Sequence, residues 1–315
     1  MFKRLLLILL GMVLAKVQGQ FAPAAGQPGS TAIKADSTCF KSWALEAQID
    51  RGLKQINWPD SGTASVGDPE NATGPFGNGL VSLGDAGTAT LTFDPPISNG
   101  PGFDFAVFEN AFNDSFLELA HVEVSSNGID WVRFPSESLS STDVQTGAFG
   151  FTRPERIHHL AGKYRSPFGT PFDLEELKDS QALDLSWIPY VRLIDVVGSI
   201  DSAWGSRDSK GRLINDPWPS PFPSSGFDLD AVGVINNTLS LRFQRTESHC
   251  YYNTATHTLL NCPAQSGYLF TPAGLLIREK ADIQNFWRLP ELKNGIYIFL
   301  STNGSSHRFI VQSVN

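Results

Sequence analysis

The residues Thr88-Ala89-Thr90-Leu91-Thr92-Phe93 alternate hydroxyl and apolar side chains up to Phe93, and a period of two suits a strand with one buried face. Similar strand-length runs follow one another: Leu80–Gly84, Phe103–Phe108, Leu119–Ser125, Trp131–Phe134, Tyr190–Val197 and Phe227–Ile235. Gly, Pro, Asn and Asp break the chain between them, as at Asp85-Ala86-Gly87 and at Pro95-Pro96, which is expected to end its strand. Ser126-Asn127-Gly128-Ile129-Asp130 separates two of the runs, and Asn-Gly there predicts a hairpin. With 28 Gly, 20 Pro and 22 Phe against 2 Met, the chain favours an all-β sandwich over a helical bundle. Its 315 residues suffice for a full core and more than one domain.

The N-terminus reads as a secretory leader. Met1-Phe2-Lys3-Arg4 is basic, Leu5–Leu14 is apolar, and Val17-Gln18-Gly19 places small residues for cleavage before Gln20, so residues 1–19 are expected to be a signal peptide and the protein exported. The apolar run is too short to remain as a transmembrane helix, no cysteine follows it to carry a lipid, and no other segment is long and apolar enough to span. Residues 20–79 are expected to be an extended lead-in wrapping the sandwich, with a short helix over Ser37–Gly52. Asp36 or Ser37 would cap it, Phe40, Trp43, Ala44, Ala47 and Ile49 would give its apolar positions, and Gly52 would stop it. Residues 80–237 form the expected binding sandwich, with a helical turn at Pro154–Leu160 and a short helix at Phe172–Leu177 inside a long excursion over Ser136–Leu177. Residues 238–315 form a separate C-terminal domain.

Candidate chemistry centres on Gly102–Asp114, where the apolar run ends in Glu109, Asn110, Asn113 and Asp114. Such groups need partners if buried, and loops where strands leave a sheet are where sites are built. Satisfying loop backbone is the competing reading. Glu109, Asn110 and Asp114, with Arg165 and Asp173 from the charged excursion and Trp204 and Trp218 from Pro-rich loops, are the candidate ligand-binding residues. The aromatics, with Phe222, would be stacking platforms or lids packed on the sandwich.

The loop over 201–218 carries carboxylates and amides around glycine, so Asp201, Asp208, Asn215, Asp216 and Asp228 are the candidate ligands of a Ca²⁺ ion, against the alternative of a solvated turn. The ligand spacing and closing Glu of an EF-hand are absent. Asp228 and Asp230, two apart on a strand, are expected to share one face, with Leu229 and Ala231 on the other. His121 and His158-His159 stand beside neither a Gly-x-Ser-x-Gly nor a His-Glu-x-x-His pattern, so triad and zincin chemistry have no support. A carboxylate pair of Glu109 with Asp114 or Glu118 is the alternative, enzymatic reading.

A net charge of −8 argues against a nucleic-acid partner. Cys250 and Cys262 would close a short loop in an oxidising compartment, leaving Cys39 as a buried apolar side chain.

Two stretches resemble known families. Gly267-Tyr268-Leu269-Phe270-Thr271-Pro272-Ala273-Gly274-Leu275-Leu276-Ile277, with Asn294-Gly295-Ile296-Tyr297-Ile298-Phe299 and Phe309-Ile310-Val311-Gln312, resembles the type A sorting domain of the Bacteroidetes type IX secretion system, without that family's usual Pro-Asn-Pro start. The resemblance implies a small immunoglobulin-like β-sandwich that carries the protein across the outer membrane. The blocks Val81–Gly84, Asp104–Phe112, Leu160–Arg165, Gly169–Leu174 and Gly226–Val232 resemble a family of bacterial secreted or cell-surface proteins. That resemblance implies a jelly-roll sandwich of the galactose-binding type, and related surface proteins occur with TonB-dependent uptake systems, including those for corrinoids. The expectation is therefore a secreted or surface-anchored binding protein for a glycan or other small ligand, with binding favoured over catalysis.

Overall fold

The computed structural model describes residues 21–237 throughout, and residues 251–253, 258–260, 266–271, 275–281, 286–288, 292–293, 295–301 and 306–311 of the rest. The expected signal peptide, Cys250 and Cys262 lie outside the described residues. The chain divides into two compact units, Met1–Thr238 and Leu239–Asn315.

In the first unit thirteen strands succeed one another: β1 (Ile33–Lys34), β2 (Ser42–Trp43), β3 (Glu46–Asp50), β4 (Val81–Ser82), β5 (Thr88–Ile97), β6 (Phe105–Glu109), β7 (Ala120–Ser125), β8 (Val132–Arg133), β9 (Glu137–Ser138), β10 (Ile157–His158), β11 (Phe168–Phe172), β12 (Ile188–Asp195) and β13 (Asp228–Val234). One sheet runs β1-β11-β6-β13-β2, with β4 also on β13; the other runs β3-β5-β12-β7-β8, and β9 and β10 pair separately. Every pairing is antiparallel. The architecture is all-β and sandwich-like.

Alternation decides which side chains meet. Phe105, Val107, Leu229, Val232 and Val234 of the first sheet and Ala89, Leu91, Val122, Val124, Val191 and Leu193 of the second share one buried core. Each large side chain so buried contributes about 1.5–3 kcal/mol. The opposite face of the first sheet carries Ala106, Phe108 and Ala231, covered by Ala35, Phe40, Trp43 and Phe76 from the N-terminal segment. That sheet is therefore buried on both sides, which is why Phe105–Phe108 reads as apolar throughout.

The second unit holds β14 (Tyr251–Asn253), β15 (Thr258–Leu260), β16 (Ser266–Phe270), β17 (Leu276–Ala281), β18 (Phe286–Arg288), β19 (Gly295–Ser301) and β20 (Ser306–Val311). They form an antiparallel sheet β14-β15-β18 and another β17-β16-β19-β20.

Several expectations are corrected. Ser37–Gly52 is not a helix but supplies β2 to one sheet and β3 to the other. The spacing of Phe40, Trp43, Ala47 and Ile49 mimics a helical stripe because these residues pack against two different surfaces: Phe40 and Trp43 on the outer one, Ala47 and Ile49 on the core. β5 continues through Pro95 and Pro96 to Ile97, its register against β12 shifting between Ile188 and Tyr190. The expected helical turn and short helix shrink to 3₁₀ turns at Pro154–Arg156 and Leu174–Leu177, and β11 takes up Phe168–Phe172. Cys39 is a free thiol, only half-buried.

Candidate functional site

Glu109 and Asp195 are the last residues of β6 and β12, and Asp228 is the first of β13. Leu229 pairs with Glu109, Asp195 with Ala120 and Ile194 with Thr88, so the ends of β6 and β12 and the starts of β5, β7 and β13 lie at one end of the sheets. Asp85 in the turn before β5, Glu118 just before β7 and Asp216 in the long loop before β13 belong to the same end. The six carboxylates form a chain of like charges close enough to repel: Glu118 faces Glu109, Asp228, Asp216 and Asp195, and Asp195 and Asp216 each face Asp85.

The local backbone explains how they are held. Between Leu229 and Ala231 the register of β13 against β6 slips, so that Leu229 enters the main core and Ala231 the outer one. The expectation of a shared face for Leu229 and Ala231 is thus overturned by a bulge at Asp230, a device that re-aims side chains. Gly198 lies so close to Asp216 that a Cβ there would fall 1.7 Å from Oδ1. Gly226, at φ +71°, lies similarly against Asp195.

Backbone and side-chain donors satisfy part of the cluster. Asp195 accepts from the Phe227 and Ala86 N–H groups at 2.7 and 3.0 Å, and Glu109 from Ala111 N–H at 2.7 Å. Asp216 accepts from Leu119 N–H at 3.1 Å, Asp228 from the Ser82 hydroxyl, and Asp85 from Trp218 Nε1 at 2.9 Å. Glu118 is 8% exposed, and its carboxylate has no hydrogen bond or ion pair among the described residues. No Lys, Arg or His among the described residues forms an ion pair with any of the six.

Uncompensated negative charge shows in the proton affinities. Burial first, and then the charge of Asp228, holds Glu109 well above the usual carboxylate range. Glu118 is raised by burial and then by Glu109; Asp195 by burial and then by Asp85; Asp216 by burial and then by Asp195. Burial lifts Asp228 to about 6. Among the described residues no three carboxylates of this cluster bring ligand oxygens within 4.8 Å of one another, so a cation here would also draw on backbone carbonyls and water.

The loop that joins β6 to β7 also carries aromatic rings, which meet rings from two other loops. Phe112, after β6, stacks on Phe116 at 6.2 Å; Phe116 stacks on Phe149 at 6.3 Å; Phe149 meets Phe222 at 5.9 Å. Phe112 is 81% exposed and Phe149 75%. The row is contiguous and carried on three separate loops, and soluble proteins seldom leave such a surface without a use. A family-model scan and a search of curated proteins each return no match to this chain.

The sequence-predicted residues separate into groups. Of the five expected Ca²⁺ ligands, Asp216 and Asp228 join the cluster. Asp208 instead pairs with Arg212 and accepts from Ser138 N–H, Asn215 bonds the backbone of Ser141, Val144 and Thr146, and exposed Asp201 accepts from Ala203 N–H within its own turn. No three of the four aspartates come within ligand distance of one another. Among the expected ligand-binding residues, Glu109 is buried in the cluster, Asn110 donates its N–H to Asp228 O, and Asp114 pairs with Arg165 at 2.9 Å. Asp173 caps the Leu174–Leu177 turn. Trp204 is 42% exposed, whereas Trp218 is buried and bonded to Asp85, which removes its ring as a platform.

Sequence reasoning missed Asp195, Asp85 and the Phe112–Phe116–Phe149 row, and it weighed Glu118 only as a catalytic partner. The available signal was a lone carboxylate inside an apolar run, as in Leu117-Glu118-Leu119 and Ile194-Asp195-Val196.

Proposed function

We propose that the protein is an exported, non-catalytic binding protein, secreted or anchored at the outer cell surface, that captures a small ligand on the loop end of a jelly-roll sandwich of the galactose-binding type. The observation that carries this reading is the exposed aromatic row Phe112–Phe116–Phe149–Phe222, a surface suited to the apolar face of a sugar ring or another cyclic ligand. At the loop end the carboxylates take a Ca²⁺ ion that neutralises them and fixes the loops; the gathering of like charges around Glu118 supports that part. The C-terminal unit acts as an immunoglobulin-like type IX sorting domain, with the secretion machinery and a TonB-dependent transporter as partners. The hydrolase alternative has less support, because Glu109 at 2% exposure and Glu118 at 8% offer a substrate little access.

Calorimetric titration with a glycan panel and with cobalamin, with and without Ca²⁺, tests the reading, run beside hydrolase assays on the same glycans. Binding without turnover is expected, weakened at least tenfold in Phe149→Ala or Phe222→Ala. Binding by neither ligand class, equal binding in the two variants, or cleavage of the glycan would overturn it.

A further inference from the structure

A second group of side chains, two imidazoles and a carboxylate, shares no residue with the carboxylate cluster. His158 ends β10, which pairs with β9, and Glu176 lies in the 3₁₀ turn that follows β11. Consecutive residues of an extended chain point to opposite faces. His159 escapes that rule because its backbone is left-handed, at φ +47°, one of only two such non-glycine residues among those described. The result is that the two imidazoles lie on the same side and stack, with ring centroids 3.6 Å apart. Phe21 also stacks on His158, at 4.8 Å.

The hydrogen bonds assign the nitrogens. His159 Nδ1 lies 3.1 Å from the Pro135 carbonyl oxygen, which can only accept, so Nδ1 carries the proton. In the neutral ring Nε2 is then a lone pair, and it faces Glu176 Oε1 at 3.0 Å, another acceptor. Two acceptors at that distance need a proton or a metal cation between them. A backbone carbonyl on the far nitrogen is also the usual support of a metal-bound histidine. One ligand atom from each of His158, His159 and Glu176 lies within 4.8 Å of the others, the only such group among the described residues. The site is open to solvent on the Glu176 side, where the side chain is 36% exposed.

We propose that His158, His159 and Glu176 bind a divalent first-row transition ion of the zinc type, leaving at least one coordination position open to water or a ligand. Two imidazoles and a carboxylate suit such an ion, whereas the all-oxygen cluster suits Ca²⁺, so the two sites differ in metal class.

The full chain, stripped with chelator and held in excess Ca²⁺, is titrated with Zn²⁺ by calorimetry and with Co²⁺ by visible absorption. Glu176→Gln changes an exposed residue, and His159→Asn keeps a side chain tolerant of the left-handed backbone. Each is expected to weaken Zn²⁺ binding at least tenfold and to remove or shift the Co²⁺ bands. No Zn²⁺ binding by the unaltered chain, or equal affinity and equal Co²⁺ spectra in both variants, would show that a proton alone joins His159 to Glu176 and overturn the proposal.

Discussion

Trp218 donates its indole N–H to Asp85 Oδ2 across 2.9 Å, joining the loop before β13 to the turn before β5. The same oxygen accepts from Ile56 N–H at 2.8 Å. Trp218→Phe keeps most of the buried ring but removes a donor to a carboxylate, so a loss of about 1–3 kcal/mol is expected. Urea unfolding checks this; an unchanged midpoint would mean the bond contributes nothing net.

Asp228 is raised by burial from an ordinary 3.8 to about 6. A folded-state pKa above the unfolded one stabilises below the unfolded value, and that stability is lost as pH rises through about 6. In metal-free protein, Asp228→Asn should therefore gain on the unaltered chain between about pH 4 and pH 7, by roughly 1–2 kcal/mol once the group's partial exposure is discounted. His121 and His158, which burial lowers to about 4, push the total the other way in part of this window, but they cancel in the comparison of variant with parent. Unfolding curves across the range give the answer, and a constant difference would contradict it.

Glu118→Gln separates the carboxylate cluster from its proposed ion. In chelator, removing a carboxyl whose ionisation is opposed by burial and by Glu109 should leave the protein as stable or more so. With Ca²⁺ at a hundred times its dissociation constant, the parent should gain about 2.7 kcal/mol and the variant much less. Thermal melts with and without Ca²⁺ read both effects; identical Ca²⁺ responses would remove Glu118 from the site.

Glu123 holds Arg133 and Arg192 from the strands on either side, and Arg192 lies over the Trp131 ring at 4.1 Å. Glu123→Ala should cost about 2 kcal/mol, less than the 3–5 typical of fully buried pairs, because the arginine side chains remain 41% and 29% exposed. A double-mutant cycle with Arg192→Ala measures the coupling, and additivity would refute it.

The sheets were legible where alternation met a clear turn, as in Thr88–Phe93 and in the hairpin of β7 and β8 across Asn127-Gly128. β11 was not, because Gly-Thr-Pro-Phe has the composition of a turn and becomes a strand only through its pairing with β6. Asp216 and Asp228 could be suspected from an Asp-rich loop. Asp195 could not be joined to them, because it is drawn in by pairings between strands distant in sequence, which residue spacing does not encode.

β2 and β3 are three residues apart from end to start, yet they enter different sheets, and Trp43 pairs with Gly233 on the last strand of the unit. An early segment of the chain therefore waits for the latest one before its hydrogen bonds close. Pairings of such separation slow folding, because loop entropy is lost before contact energy is gained. A nascent chain interrupted anywhere before β13 keeps both the edge of β6 and the apolar face of β2 open. The sandwich thus carries its own timing: its first sheet stays unlocked until synthesis has passed Val234, the end of β13.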